Sequence, residues 1–157
     1  MKNLKLYESF MSGLPLEKAI GQSMESGRPV LLSAAPDTRA VAAVAKEADN
    51  IGCPMIHVDC ARLAPEDIEI PSLRDEKTVL TPAVWLPYDN SGGPIILLLD
   101  EINRAGRQVL DKLMKLAYSR SLGSYSLPAN CVVVLRIHSN DSSGDFALAD
   151  RSIPASL

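Results

Sequence analysis

The sequence predicts an α/β fold: a parallel sheet with helices packed on both faces. Three observations predict it. Pro94-Ile95-Ile96-Leu97-Leu98-Leu99 is a continuous apolar run without alternation, the pattern of a strand covered on both sides. Residues 29–59 read strand, turn, helix, strand, which is the βαβ unit of a parallel sheet. Beyond the apolar run, Val109, Leu110, Leu113, Met114, Leu116 and Ala117 fall on one face of a helix.

Taken in order, Leu6, Phe10, Leu14, Leu16, Ile20 and Met24 lie at mostly helical spacing. Gly13-Leu14-Pro15 interrupts them, so two short helices are expected, with Gly27 capping the second. Residues 29–33 form the first buried strand, residues 40–48 an Ala/Val-rich helix, and residues 54–59 the second strand. Residues 64–73 begin as a helix at Pro65-Glu66-Asp67 and lose the pattern at Pro71. Residues 78–87 are too rich in proline for a central strand and read as a small hairpin or extended insertion anchored by Trp85. Asn90-Ser91-Gly92-Gly93 is a turn. After the helix, residues 122–128 form a second hairpin or turn, and residues 131–137 another apolar strand, interrupted by Arg136. Residues 139–157 are a polar tail with a short Ile153-Pro154-Ala155 element, wrapped on the domain or frayed.

The whole chain, 1–157, is expected to be one domain, long enough to bury a real core. A net charge of -3 provides no footprint for sequence-independent binding to nucleic acid or to an anionic membrane. No apolar segment is long enough to cross a bilayer, and the expected location is cytoplasmic. The cysteines, Cys53, Cys60 and Cys131, are odd in number and form no C-x-x-C pair, which suits free thiols in a reducing compartment. Cys53, His57 and Asp59 share a strand face while Cys60 points the other way, so a metal cluster is not expected.

The apolar run stops at Asp100-Glu101. Two acids where a central strand emerges are costly to bury without a cation or hydrogen-bond donors. In a magnesium–nucleotide site the first would hold the metal shell and the second would orient or deprotonate water. The alternative is a strand end leading into the acidic first turn of a helix. This stretch alone leaves both readings open.

The order of parts resembles the MoxR branch of the AAA+ ATPases. Asp100-Glu101-Ile102-Asn103-Arg104 resembles that branch's Walker B segment. Residues 122–128 resemble the hairpin that follows it, Thr81-Pro82-Ala83-Val84-Trp85-Leu86-Pro87 the stretch that precedes it, and Arg28-Pro29-Val30-Leu31-Leu32 the first core strand. The resemblance implies a three-layer P-loop-NTPase-like AAA+ large domain with small hairpin insertions. The helical lid domain and the arginine finger that follow in the family are expected to be absent from this chain.

The resemblance also implies a phosphate loop of pattern G-x-x-x-x-G-K-S/T after the first strand, and here the sequence departs. Ala34-Ala35-Pro36-Asp37-Thr38-Arg39-Ala40-Val41 stands in that place, and only Pro36 and Thr38 match. Ala40 removes the phosphate cation and Val41 the magnesium hydroxyl. Asp37 brings a carboxylate to the helix N-terminus, where it is expected to cap the N–H groups that phosphate would take. Arg39 is expected to point outward or to pair with Asp37 or Glu101. His138 or Asn140 stands where the family places a residue that orients water. Asp100 and Glu101 are then expected to be structural, partnered by Arg39, Arg104 or helix N–H groups.

The function expected is a catalytically inactive AAA+ core, leaning to no enzyme activity, with no cofactor and no metal. It would act as a protein-binding, assembly or regulatory module whose partner is an AAA+ ring subunit, another protein or a second copy. One alternative is a weak ATPase using ATP and magnesium through Arg39, Asp100 and Glu101. Another is a nucleic-acid-binding regulator using Arg104, Arg107, Lys112, Lys115 and Arg120, whose simpler explanation is a solvated helix face.

Overall fold

A computed structural model describes residues 14–34, 39–88, 93–138 and 153–156. Its elements are β1 (Leu14–Pro15), α1 (Leu16–Ser26), β2 (Val30–Ala34), α2 (Arg39–Ile51), β3 (Met55–Asp59), β4 (Glu69–Arg74), β5 (Lys77–Pro82), β6 (Ile95–Asp100), α3 (Arg107–Ser119), β7 (Ser121–Leu122), β8 (Tyr125–Ser126), β9 (Cys131–His138) and β10 (Ile153–Ser156). Short 3₁₀ turns at Cys60–Arg62, Pro65–Asp67 and Ile102–Arg104 fill three of the connections.

Six strands form one parallel sheet in the order β1-β10-β2-β9-β6-β3. The continuous apolar runs follow from burial on both faces. Along β6, Ile96 and Leu98 turn to one side and Leu97 and Leu99 to the other. On the first side they join Val30 and Leu32 of β2 and Val132 and Val134 of β9 beneath α1 and α2. On the second they join Val133, Leu135 and Ile137 beneath Val109, Leu113, Leu116 and Ala117 of α3. The result is helix, sheet, helix in three layers.

Helix α1 ends where expected. Gly27 has φ +73 and its N–H returns to the Ser23 carbonyl at 2.8 Å, a left-handed cap that only glycine enters without strain.

Three expectations are corrected. The Gly13-Leu14-Pro15 break is not merely a gap between helices, because Leu14 and Pro15 form β1 against β10. Proline removes a backbone donor, and an edge strand tolerates that loss. The stretch beginning at Pro65 makes only a 3₁₀ turn, then β4 pairs antiparallel with β5 as a hairpin. Its turn residues Asp75 and Glu76 both have positive φ, the geometry of a tight hairpin turn. The Ile153 element is neither loop nor frayed end: Ile153, Pro154 and Ala155 align with Val30, Leu31 and Leu32, inside the sheet.

Trp85 anchors as expected, packing on the core beside α3 while its indole N–H donates to the Asp67 carbonyl at 2.7 Å. Tyr125 of the small β7–β8 hairpin donates its hydroxyl to the Pro87 carbonyl, which ties the two insertions together.

Candidate functional site: the strand-end acids

In a parallel sheet all strands end on one edge, and sites in such sheets form there. That edge gathers Ala34, Asp59, Asp100 and His138, the last residues of β2, β3, β6 and β9. Ala34 aligns with His138 and Asp59 with Asp100. The backbone therefore brings the two halves of the expected site to one edge, with β9 between the strand entering the loop and the strand carrying the acids.

Asp100 is 7% exposed and both of its carboxylate oxygens are engaged. Arg136 Nη1 donates to Oδ1 at 2.7 Å. His57 Nε2 lies 2.9 Å from Oδ2, donating to it as an N–H. The same Arg136 nitrogen stands 3.7 Å from Glu101 Oε1. Arg136 is itself only 3% exposed, so the pair is a buried, charge-assisted contact.

Register explains the meeting. Leu99 aligns with Leu135, which sets Asp100 level with Arg136 on the next strand. His57 aligns with Leu98 on the opposite side of β6.

Glu101 follows in the left-handed region, φ 54 and ψ 39, and opens the 3₁₀ turn Ile102–Arg104. A non-glycine residue there is uncommon, and such positions cluster at functional turns. Cys60 lies fully buried beside these acids. Burial pushes its thiol up to about 12, and the charges of Asp100, Asp59 and Glu101 add to the rise. Cys60 is therefore a neutral core side chain and an inert one.

The phosphate side is described from Arg39 onward. Arg39 is exposed as the first residue of α2. Ala40 is 1% exposed and packs with Val44, Ala19 and Ile20 in the core beneath α1 and α2; Val41 packs at that core's margin. Pro36, Asp37, Thr38 and Asn140 lie outside the described residues, as does the side chain of His138.

These residues do not fit a magnesium–nucleotide site. Each Asp100 oxygen already accepts from a protein donor, and Ala40, the second residue of α2, presents only a methyl group to the core. Among the described residues no three His, Cys, Asp or Glu side chains converge as metal ligands.

The expected partners of Asp100, namely Arg39, Arg104 or helix N–H groups, give way to Arg136 and His57. Both were visible in the sequence. A lone arginine inside an apolar strand must find a carboxylate, since charged side chains are almost never buried unpaired. The basic residues after Asp100 do not act as one face. Lys112 Nζ is 3.1 Å from the buried Glu69. Arg120 donates to the carbonyls of Gly27, Pro128 and Cys131 at 3.3, 2.9 and 2.7 Å. Arg104, Arg107 and Lys115 are exposed.

No protein-family model matches the chain, and no curated protein matches it in sequence. Solved structures do. A candidate ATPase from Cytophaga hutchinsonii aligns over 99% of this chain and 50% of its own length, at 15% identity and TM-score 0.59. NtrX from Brucella abortus aligns over 99% of this chain and 40% of its own, at 14% identity and TM-score 0.54. NtrX in complex with ATP aligns over 99% and 39%, at 16% identity and TM-score 0.55. The chain shares the α/β fold of these structures, a parallel sheet flanked by helices. It spans half or less of the length of these structures. No described helix is long and apolar enough to cross a membrane.

Proposed function

We propose that this AAA+ core is MoxR-like and does not hydrolyse ATP, and that it works in the cytoplasm as a protein-binding or assembly module. The observation that carries the reading is Ala40. A phosphate lysine needs a long flexible cation at the start of the first loop helix. Here that position is a 1% exposed alanine packed among Val44, Ala19 and Ile20, with no charge to offer. Catalysis of phosphoryl transfer is almost entirely positioning and electrostatics, so a fold without that charge keeps the shape and loses the chemistry. Neither ATP nor magnesium is required by the module.

The partner surface favoured by the structure is the β4–β5 hairpin and the turn after it. Leu73 is 75% and Val84 96% exposed; Leu80, on the same hairpin face as Leu73, and Ile70, on the opposite face, are exposed as well. Large apolar side chains left in water are what an interaction surface would cover. Candidates are a subunit of an AAA+ ring, which the module would join or cap, another protein, or a second copy of the chain. The alternative is a weak ATPase working through Arg39, Asp100 and Glu101. Titration calorimetry with ATP and magnesium decides between them. No heat of binding and no turnover is expected. Micromolar binding with turnover abolished by Glu101→Gln would establish the ATPase instead.

A further inference from the structure

Arg136 occupies a telling place. It leaves β9, which lies between β2, the strand leading into the loop after Ala34, and β6, the strand ending in Asp100. In a magnesium–nucleotide site of this kind a loop hydroxyl and the strand-end acid would hold the metal. Strand alternation sends Arg136 to the same face as Val132 and Val134, and Asp100 to the same face as Ile96 and Leu98. This is the α1–α2 face, where the loop helix begins. On it, one guanidinium nitrogen stands 2.7 Å from Asp100 and 3.7 Å from Glu101, at 3% exposure, while His57 holds the second Asp100 oxygen.

We propose that Arg136 is a built-in replacement for the divalent cation, so that Asp100 is a structural anion and not a metal ligand in this chain. A divalent ion approaching Asp100 would have to displace a desolvated guanidinium from its 2.7 Å carboxylate contact, or sit beside a fixed positive charge in a low-dielectric setting. Either is unfavourable. The inference deepens the proposed function at the same site and rests on its reading of Asp100 as the strand-end acid of an AAA+ core.

The test uses manganese alone, without nucleotide, on the full chain. Free Mn²⁺ is followed by electron paramagnetic resonance for wild type, Asp100→Asn, Arg136→Gln and the double variant. Wild type and Asp100→Asn should retain equally little ion. Arg136→Gln should bind at least about tenfold tighter than wild type, and adding Asp100→Asn should abolish the gain. Wild-type binding that depends on Asp100, or no gain in a folded Arg136→Gln variant, overturns the proposal. A second measurement needs no variant to fold. In the wild-type spectrum, Mn²⁺ should leave the amide signals of Leu99, Asp100 and Glu101 unbroadened, and their selective broadening overturns it. A separate ATP titration in EDTA keeps the two readings apart. Nucleotide bound without metal would overturn the no-binding expectation of the proposed function and leave the assignment of Arg136 standing, whereas Mn²⁺ at Asp100 would overturn that assignment and leave the protein-binding reading standing.

Discussion

At the scale of single residues, the interior holds ionisable groups whose environment sets a pH dependence. Burial pushes the Cys60 thiol up to about 12, with Asp100, Asp59 and Glu101 adding to it. Burial pushes Cys131 up to about 11, with Arg120 opposing. The ordinary thiol value is 9.0, so above pH 9.0 the unfolded chain sheds protons that the folded chain keeps. The unfolded state then binds fewer protons, and stability falls as pH rises through that window, having been fully present below it. At about pH 10.5 the Cys60 contribution should cost on the order of 2 kcal/mol. Urea midpoints at about pH 7.5 and pH 10.5 should drop less in Cys60→Ala than in wild type; an equal drop would assign the alkaline loss to other groups. The residues at this site were unequally legible. Asp100 and Glu101 stand out because two acids end an apolar run. Arg136 reads as a flaw in a strand until the register of β9 against β6 is known, and register depends on tertiary pairing that no local pattern encodes.

At the scale of elements, Arg120 shows how a charge on a helix can be misread from spacing. It sits at the end of α3 with φ 56, outside the helical region, and turns its guanidinium back onto three carbonyls from two separate loops. It thereby fastens the α1–β2 turn to the β8–β9 loop. Arg120→Ala should destabilise by about 3 kcal/mol, since it strands carbonyls that a charged donor now satisfies; Arg120→Lys should recover only part, lacking the planar fork. A urea unfolding series measures both, and an effect within error of zero would make the clamp incidental. The long elements, β2, α2, β6, α3 and β9, were legible because burial on one or two faces imposes a period on the sequence. The β4–β5 hairpin was not, because both its strands carry proline and its apolar residues face solvent instead of a core.

At the scale of the whole molecule, the sheet closes through a segment far along the chain. Ile153 and Ala155 are buried between β1 and β2 and belong to the core beneath α1 and α2. The segment was hard to read because it is short, contains Pro154 and follows a polar stretch, so local propensity argued for a loop. Its partners supply the strand character. Ile153→Asp should cost about 3–5 kcal/mol by burying an unpaired charge. Hydrogen exchange should then show protection lost first in β1 and β2, with β3 and β6 keeping theirs; uniform loss across the sheet would argue against this division.

The same placement bears on the order of assembly. Among the described residues, strands β2, β3, β6 and β9 have their partners once residue 138 has been made, yet one edge of β2 waits for β10, and β1 pairs with no strand but β10. During synthesis Val30, Leu31 and Leu32 therefore present an open apolar edge until β10 arrives. Long-range parallel pairing is slow, and unpaired edges are where growing chains associate wrongly. A chain stalled before Ile153 would be a species for chaperones to hold. Closing this sheet inserts four residues between two strands made more than a hundred residues earlier.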